Sequence, residues 1–213
     1  MHIPKKGLRA CGIAESYTGD RFSTLAGVVM RKDLLIDGIT FSRVTIGGTD
    51  ATDAVIRMVQ GLERKDINVI LLSGCVIAWF NIMDPGRVEE ETHIPVICVT
   101  YEDSEGLDTD IRYHFPGDED RLSAYNRLGR RTPVTLDNGQ EIFLRSWGIG
   151  FQDAGRLVGD FVAGGKIPEP LRVARLCSRS AGRFFEGGPA DIPLVPRDEN
   201  SNTNKKNTDN SAG

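Results

Sequence analysis

The 213-residue sequence is short of several things, and each shortage removes a class of function. No stretch of about eighteen uncharged apolar residues occurs, so no segment is expected to cross a membrane as a helix. The first nine residues, Met1 to Arg9, are basic and have no apolar core, so a secretory signal is not expected there. Histidines are only three (His2, His93, His114), and the four cysteines (Cys11, Cys75, Cys98, Cys177) form no CxxC pair. A zinc site of ordinary spacing is therefore not expected. Three of the cysteines lie in apolar runs, which fits buried free thiols and a reducing, cytoplasmic setting. Positive charge is not in excess either: 26 Lys and Arg stand against 30 Asp and Glu, a formal net charge of −4. That excludes a general nucleic-acid coat, and any site for a polyanion has to be a local patch.

What is present is globular material, 39% hydrophobic and 26% charged, enough for one core. The expected organisation is an N-terminal arm over residues 1–7, one domain over 8–186 and a polar tail over 187–213. The tail opens on Gly187-Gly188-Pro189, and from Arg197 onward it has no aliphatic residue larger than alanine. Such a composition cannot offset the entropy of ordering, so disorder is expected there.

Within the domain the patterns change in order. Leu8–Ile13, Leu25–Met30 and Leu34–Ile46 read as strands joined by short turns, an antiparallel meander. Ala51, Ala54, Val55, Met58, Val59 and Leu62 then make one apolar helical stripe. Thr49 or Asp50 is its cap candidate, and Asp53 puts negative charge in its first turn. Asn68–Leu72 is an unbroken apolar run, expected to be a central parallel strand buried on both faces. A short helix over Gly86–Thr92 leads to a second such strand, Ile94–Thr100, giving a right-handed βαβ unit. Beyond it come a helix over Asp118–Leu128 and a hairpin of Val134–Leu136 with Glu141–Leu144 across Asp137-Asn138-Gly139. An amphipathic helix through Ala154–Val162 and a last helix from Pro168 to about Ala181 complete the chain. The fold class expected is α/β: a mixed sheet with three antiparallel strands, then parallel βαβ, then C-terminal helices. That order is the ribonuclease H-like plan, and it carries no function by itself.

Six stretches carry a resemblance: GIAESY (12–17), LAGVVMR (25–31), IDGITFSRVTIGGTDATDAV (36–55), VILLSG (69–74), IPVICVT (94–100) and IPEPLRVARL (167–176). In order, over roughly residues 8–182, the chain resembles the archaeal family known as domain of unknown function 99, which is related to endonuclease V. The resemblance implies an endonuclease V-like variant of the ribonuclease H fold. Nucleases of that fold hydrolyse phosphodiesters with Mg²⁺ held by carboxylates, because magnesium takes hard oxygen ligands. Against the family pattern two acids are missing. Gly-Ile-Asp-Asp is replaced by Gly12-Ile13-Ala14-Glu15, and Leu-Asp-Gly by Leu72-Ser73-Gly74. Glu15 is acidic, but strand neighbours point to opposite faces, so it needs a bulge to stand in for an acid at Ala14.

The resemblance therefore implies a degraded magnesium site. Glu15, Asp50 and Asp53 remain as catalytic candidates, with Asp50 as the metal-ligand candidate. Capping of the helix by Asp50, dipole compensation by Asp53 and a turn role for Asp84 are open alternatives. A Ser73 nucleophile needs a base, and His93 has nothing around it that completes a triad. For DNA or RNA the candidates are Tyr17, as a stacking ring, and a stripe of Arg172, Arg175, Arg179 and Arg183. The four arginines fall within about 80° of helical arc. The stripe reads equally as a solvated face, and Trp79-Phe80-Asn81 reads as core before base stack. The function expected is an endonuclease V-related protein that binds nucleic acid or a nucleotide-like ligand at a degenerate metal site. The alternatives are an active Mg²⁺-dependent endonuclease with relocated carboxylates and a non-catalytic protein-interaction domain.

Overall fold

The front of the chain forms three long strands, β1 (Arg9–Ser16), β2 (Phe22–Arg31) and β3 (Ile36–Thr45). This is a computed structural model, and it describes residues 7–17, 21–103 and 105–187. The expected arm and tail lie outside the described residues, apart from Gly7 and Gly187. The three strands pair antiparallel, with Ala14 opposite Ala26 and Glu15 opposite Leu25 in an unbroken β1–β2 register. One register shift separates β2 from β3, at Val29/Met30. Helix α1 (Ala51–Gln60) follows and buries the expected stripe from Ala51 to Val59, whereas Leu62 lies beyond its end and is partly buried. Next comes β4 (Val69–Ser73), parallel to β1 with Ile13 beside Leu72.

A two-stranded hairpin of β5 (Val76–Ile77) and β6 (Asn81–Ile82) is inserted after β4. Helix α2 (Pro85–Thr92) returns the chain to β7 (Val96–Thr100), which runs parallel to β4. Then come α3 (Asp108–His114), α4 (Glu119–Arg127), β8 (Thr132–Thr135), β9 (Glu141–Trp147), α5 (Phe151–Asp160) and α6 (Glu169–Gly187). The main sheet is seven-stranded, in the order β3-β2-β1-β4-β7-β9-β8, with β9 antiparallel to β7. It is the expected mixed α/β sheet, with β4 at its centre.

Strand β4 shows why its sequence is apolar from Val69 to Leu72. Ile70 and Leu72 pack on the side of α1 and α2, whereas Val69 and Leu71 pack on the side of α5 and α6. A strand covered on both faces has no position left for a polar residue. Strand β1 divides in the same way: Cys11 and Ile13 face α1, whereas Ala10 and Ala14 face the other layer. Gly12 lets α6 lie directly on the sheet. A Cβ built there falls 2.5 Å from the Pro170 backbone carbon, so only glycine admits this approach. Cys11, Cys75 and Cys98 are buried free thiols, and Cys177 is partly covered.

The structure departs from expectation in several places: the β5–β6 hairpin is unexpected, and α6 runs to Gly187 where its end is expected near Ala181. Helix α3 lies in a stretch with no apolar stripe, and only Ile111 of it is buried. The strand expected from Leu34 starts at Ile36, because Leu34 takes a left-handed turn conformation with φ of 67°. Trp79, expected in the core, is 51% exposed.

Candidate nucleic-acid interface

The last β1–β4 pair is Ile13 beside Leu72, and Ala14 and Ser73 come next on the two central strands. They share the pleat direction of Ala10, Val69 and Leu71, the face covered by α6. Ala174 of α6 packs with Ala14, Val28 and Met30. The next residue, Arg175, reaches over the strand ends, and its Nη2 donates to the Ser73 hydroxyl at 2.9 Å. The same guanidinium lies 5.7 Å from the centre of the Tyr101 ring. Burial lifts the Tyr101 phenol to about 12, against the opposing pull of Arg175 and Ser73. A methyl group, a hydroxyl and a fixed guanidinium do not suit magnesium, which needs anionic oxygens and is repelled by a cation already in place. Among the described residues, no group of three or more His, Cys, Asp or Glu gathers to hold a metal ion.

The remaining acids are held elsewhere. β1 carries no bulge, so Glu15 faces the α1 side with Ile13, and its carboxylate accepts from the Ser23 hydroxyl. Asp50 precedes α1 but does not cap it with its side chain. Its two oxygens accept from the Thr45 backbone N–H, both at 3.1 Å, from the Thr45 hydroxyl at 2.9 Å and from Asn81 Nδ2 at 2.6 Å. Asn81 does the capping, its Oδ1 accepting from the Ala51 N–H at 3.1 Å. Burial works to raise the Asp50 pKa, and the hydrogen bonds from Asn81 and Thr45 outweigh it, so the carboxyl is held below its ordinary value. Asp53 lies on the surface in an ion pair with Arg87 at 2.7 Å. Asp84 caps α2 by accepting from the Arg87 N–H. His93 closes α2 ahead of β7, at the opposite end of the parallel strands from Ser73. Glu15, Asp50 and Asp53 thus have separate partners and form no cage.

The arginine stripe is divided in use. Arg172 pairs with Glu169 at 2.6 Å, and Arg175 holds Ser73. Arg179 and Arg183 are exposed, and neither enters an ion pair among the described residues.

On the other side of the β1 end is a cleft of about 490 Å³, lined by Glu15, Tyr17, Ile77, Trp79, Phe80 and Leu107, among others. Its wall is the turn of the β5–β6 hairpin, where Ala78, Trp79 and Phe80 have φ of 42°, 57° and 61°. Three successive non-glycine residues in this region cost about 1–2 kcal/mol each, so the surroundings must hold them. Arg121 does so. Its guanidinium donates to the carbonyls of Gly47 at 3.0 Å, Gly48 at 3.1 Å and Phe80, binds Asp118 at 3.0 Å and lies 4.0 Å above the Phe115 ring. The Gly47 N–H donates to the Ala78 carbonyl at 2.8 Å. The left-handed run turns Trp79 out of the core, with its ring 4.7 Å from that of His114. Sequence reasoning missed Arg121 and Tyr101. Neither stands in a motif, since Arg121 reads as one more charge on a polar helix.

Residues 6–182 match the Endonuclease dU family. A UPF0215 protein of Pyrobaculum calidifontis is 41% identical over 175 residues, which is 81% of this chain and 96% of the relative. A protein of unknown function from Archaeoglobus fulgidus superposes with a TM-score of 0.71 at 28% identity, covering 82% of this chain and 98% of the other. Ciona intestinalis Endonuclease V, solved with a DNA containing an inosine followed by a ribo-adenosine, shares the fold. Its TM-score is 0.56 at 16% identity, over 85% of this chain and 88% of the other. By the length and order of the family match, the chain belongs to the Endonuclease dU family.

Proposed function

We propose that this chain binds single-stranded nucleic acid without a hydrolytic metal centre. The observation that carries the reading is the 2.9 Å hydrogen bond between Arg175 and Ser73, beside Ala14. The resemblance to endonuclease V implies that a metal and its phosphate meet at these strand ends. Here the positive charge at that place is a side chain, which attracts a phosphate but generates no hydroxide. Arg179 and Arg183 continue the same flank of α6 and supply further phosphate contacts. A base splayed from the strand enters the cleft between Tyr17 and Trp79, where stacking on each ring contributes about 1–3 kcal/mol. Glu15, which also lines the cleft, accepts from an N–H on the base edge with the oxygen that Ser23 leaves open. The Ciona protein of the same fold was solved with a DNA that contains an inosine, which makes inosine a base to try. The family name makes deoxyuridine the first base to try.

The test is fluorescence anisotropy with single strands carrying deoxyuridine or inosine, in Mg²⁺, in Mn²⁺ and in chelator, with a gel for cleavage. The expected result is binding that weakens steeply with salt, is indifferent to the divalent ion and leaves the strand intact. Metal-dependent cleavage that Asp50→Ala abolishes would overturn the reading.

A further inference from the structure

The two edges of the main sheet are built differently. Strand β8, at one edge, has four residues and contains Pro133, and short edges with proline resist pairing. Strand β3, at the other, has ten residues with neither proline nor lysine. Its register shift lies near its start, and from Gly38 to Thr45 it pairs regularly with β2, leaving its outer backbone groups without a strand neighbour among the described residues.

The side chains add to this. Ile39 and Phe41 share the α6 side of the sheet and are 47% and 46% exposed. Helix α6 covers β1 and β2, and its flank toward β3 carries Val173 and Cys177, packed on the small cluster of Val28 and Met30. Farther along that helix Phe184 and Phe185 are 60% and 51% exposed. The Arg43 guanidinium lies 4.8 Å above the Phe185 ring and joins helix end to strand. Edge and helix thus form one apolar surface. A large apolar side chain half exposed leaves roughly 100 Å² to be covered. With Ile36, five such residues amount to about 500 Å² on one protomer and about 1,000 Å² over a symmetric pair, where specific interfaces begin.

We infer that this surface pairs with a second copy of the chain. Strand β3 runs antiparallel to β3 of the partner subunit, about a two-fold axis at Thr40, and the two sheets become one. This register sets Ile39 against Phe41 of the partner subunit, and Phe41 against the partner's Ile39. Cross-strand pairs of an aromatic and a β-branched residue are the stabilising kind. Being two-fold, the interface is self-complementary and closed, so it stops at a dimer.

The test is sedimentation equilibrium of the full chain from about 1 to about 100 µM, since self-association follows mass action. The expected result is a dimer. Ile39→Lys and Phe41→Arg should each raise its dissociation constant at least about tenfold, a shift of about 1.4 kcal/mol. Both positions are half exposed, so the thermal melt of the monomer should stay close to that of the parent. Thr40→Cys, oxidised, should give a covalent dimer through the two-fold axis. A chain that remains monomeric at the top concentration, whether or not it captures another polypeptide at this edge, overturns the proposal. So does a dimer indifferent to both charge substitutions, or one that Thr40→Cys does not crosslink.

Discussion

Ala14 and Glu15 are neighbours in the chain, yet they belong to surfaces with opposite chemistry. On the α6 side of the β1 end stand Ala14 and Ser73, with Arg175 donating to the Ser73 hydroxyl. On the α1 side carboxylates are present but drawn into separate hydrogen bonds: Glu15 accepts from Ser23 with one oxygen, and Asp50 accepts from Thr45 and Asn81. A count of carboxylates near a strand end therefore says little about metal binding. What decides is which way the pleat turns each one and how many of its lone pairs are already taken.

The largest effect expected from breaking this arrangement is on the α1 side, at Arg121. Arg121→Ala strands the carbonyls of Gly47, Gly48 and Phe80 and the Asp118 carboxylate, and it frees the left-handed turn. Removing one member of a buried charged network costs about 3–5 kcal/mol. Urea denaturation should show a loss of that size, with the Trp79 cleft disordered at temperatures where the sheet persists. A loss below about 1 kcal/mol, the scale of an exposed pair, would mean that the turn is held by something else.

Much of this architecture was legible in the sequence, and the rest was hidden for definable reasons. The unbroken apolar run of β4 and the stripe of α1 report burial directly, because burial on two faces or on one stripe leaves a periodic trace. Ala14 and Ser73 drew notice only through the resemblance, since a small residue at a strand end leaves no period of its own. Trp79 gave the wrong signal, because a large aromatic after a core strand normally continues the core. Nothing local marks Ala78-Trp79-Phe80 as left-handed, since the conformation is imposed by Arg121, some forty residues away in the chain. Asp50 stood at a helix start and read as its cap, but tertiary packing gave that task to Asn81. Long-range hydrogen bonds of this kind leave no period in the sequence.

A smaller effect separates a structural from a metal-binding role for Asp50. Asp50→Ala removes four accepted hydrogen bonds around Thr45 and Asn81 and should cost about 1–3 kcal/mol. The pH dependence follows from the lowered pKa. A carboxyl depressed in the folded state contributes stability that is full above its unfolded pKa and is lost as pH falls through the folded one. The difference in stability between the parent and Asp50→Ala should therefore be constant near neutrality and shrink on acidification below the ordinary aspartate range. If the parent's melting temperature rises with Mg²⁺ and the variant's does not, Asp50 is a ligand and the contrast between the two sides fails.

The smallest effect on folding sharpens the other side. Arg179 is exposed and without an ion pair among the described residues, so Arg179→Ala should leave the melt within about 0.5 kcal/mol of the parent. If the stripe follows a phosphate backbone, the variant should still bind a single strand more weakly at every salt concentration. The slope of log K against log salt should also flatten by about 0.7, because one phosphate fewer is neutralised. The same substitution at Arg172, already paired with Glu169, should change that slope less. Equal slopes for parent and Arg179→Ala would make this flank of α6 a solvated face whose charge keeps the helix in water, and would leave the strand ends with Arg175 as their single cation.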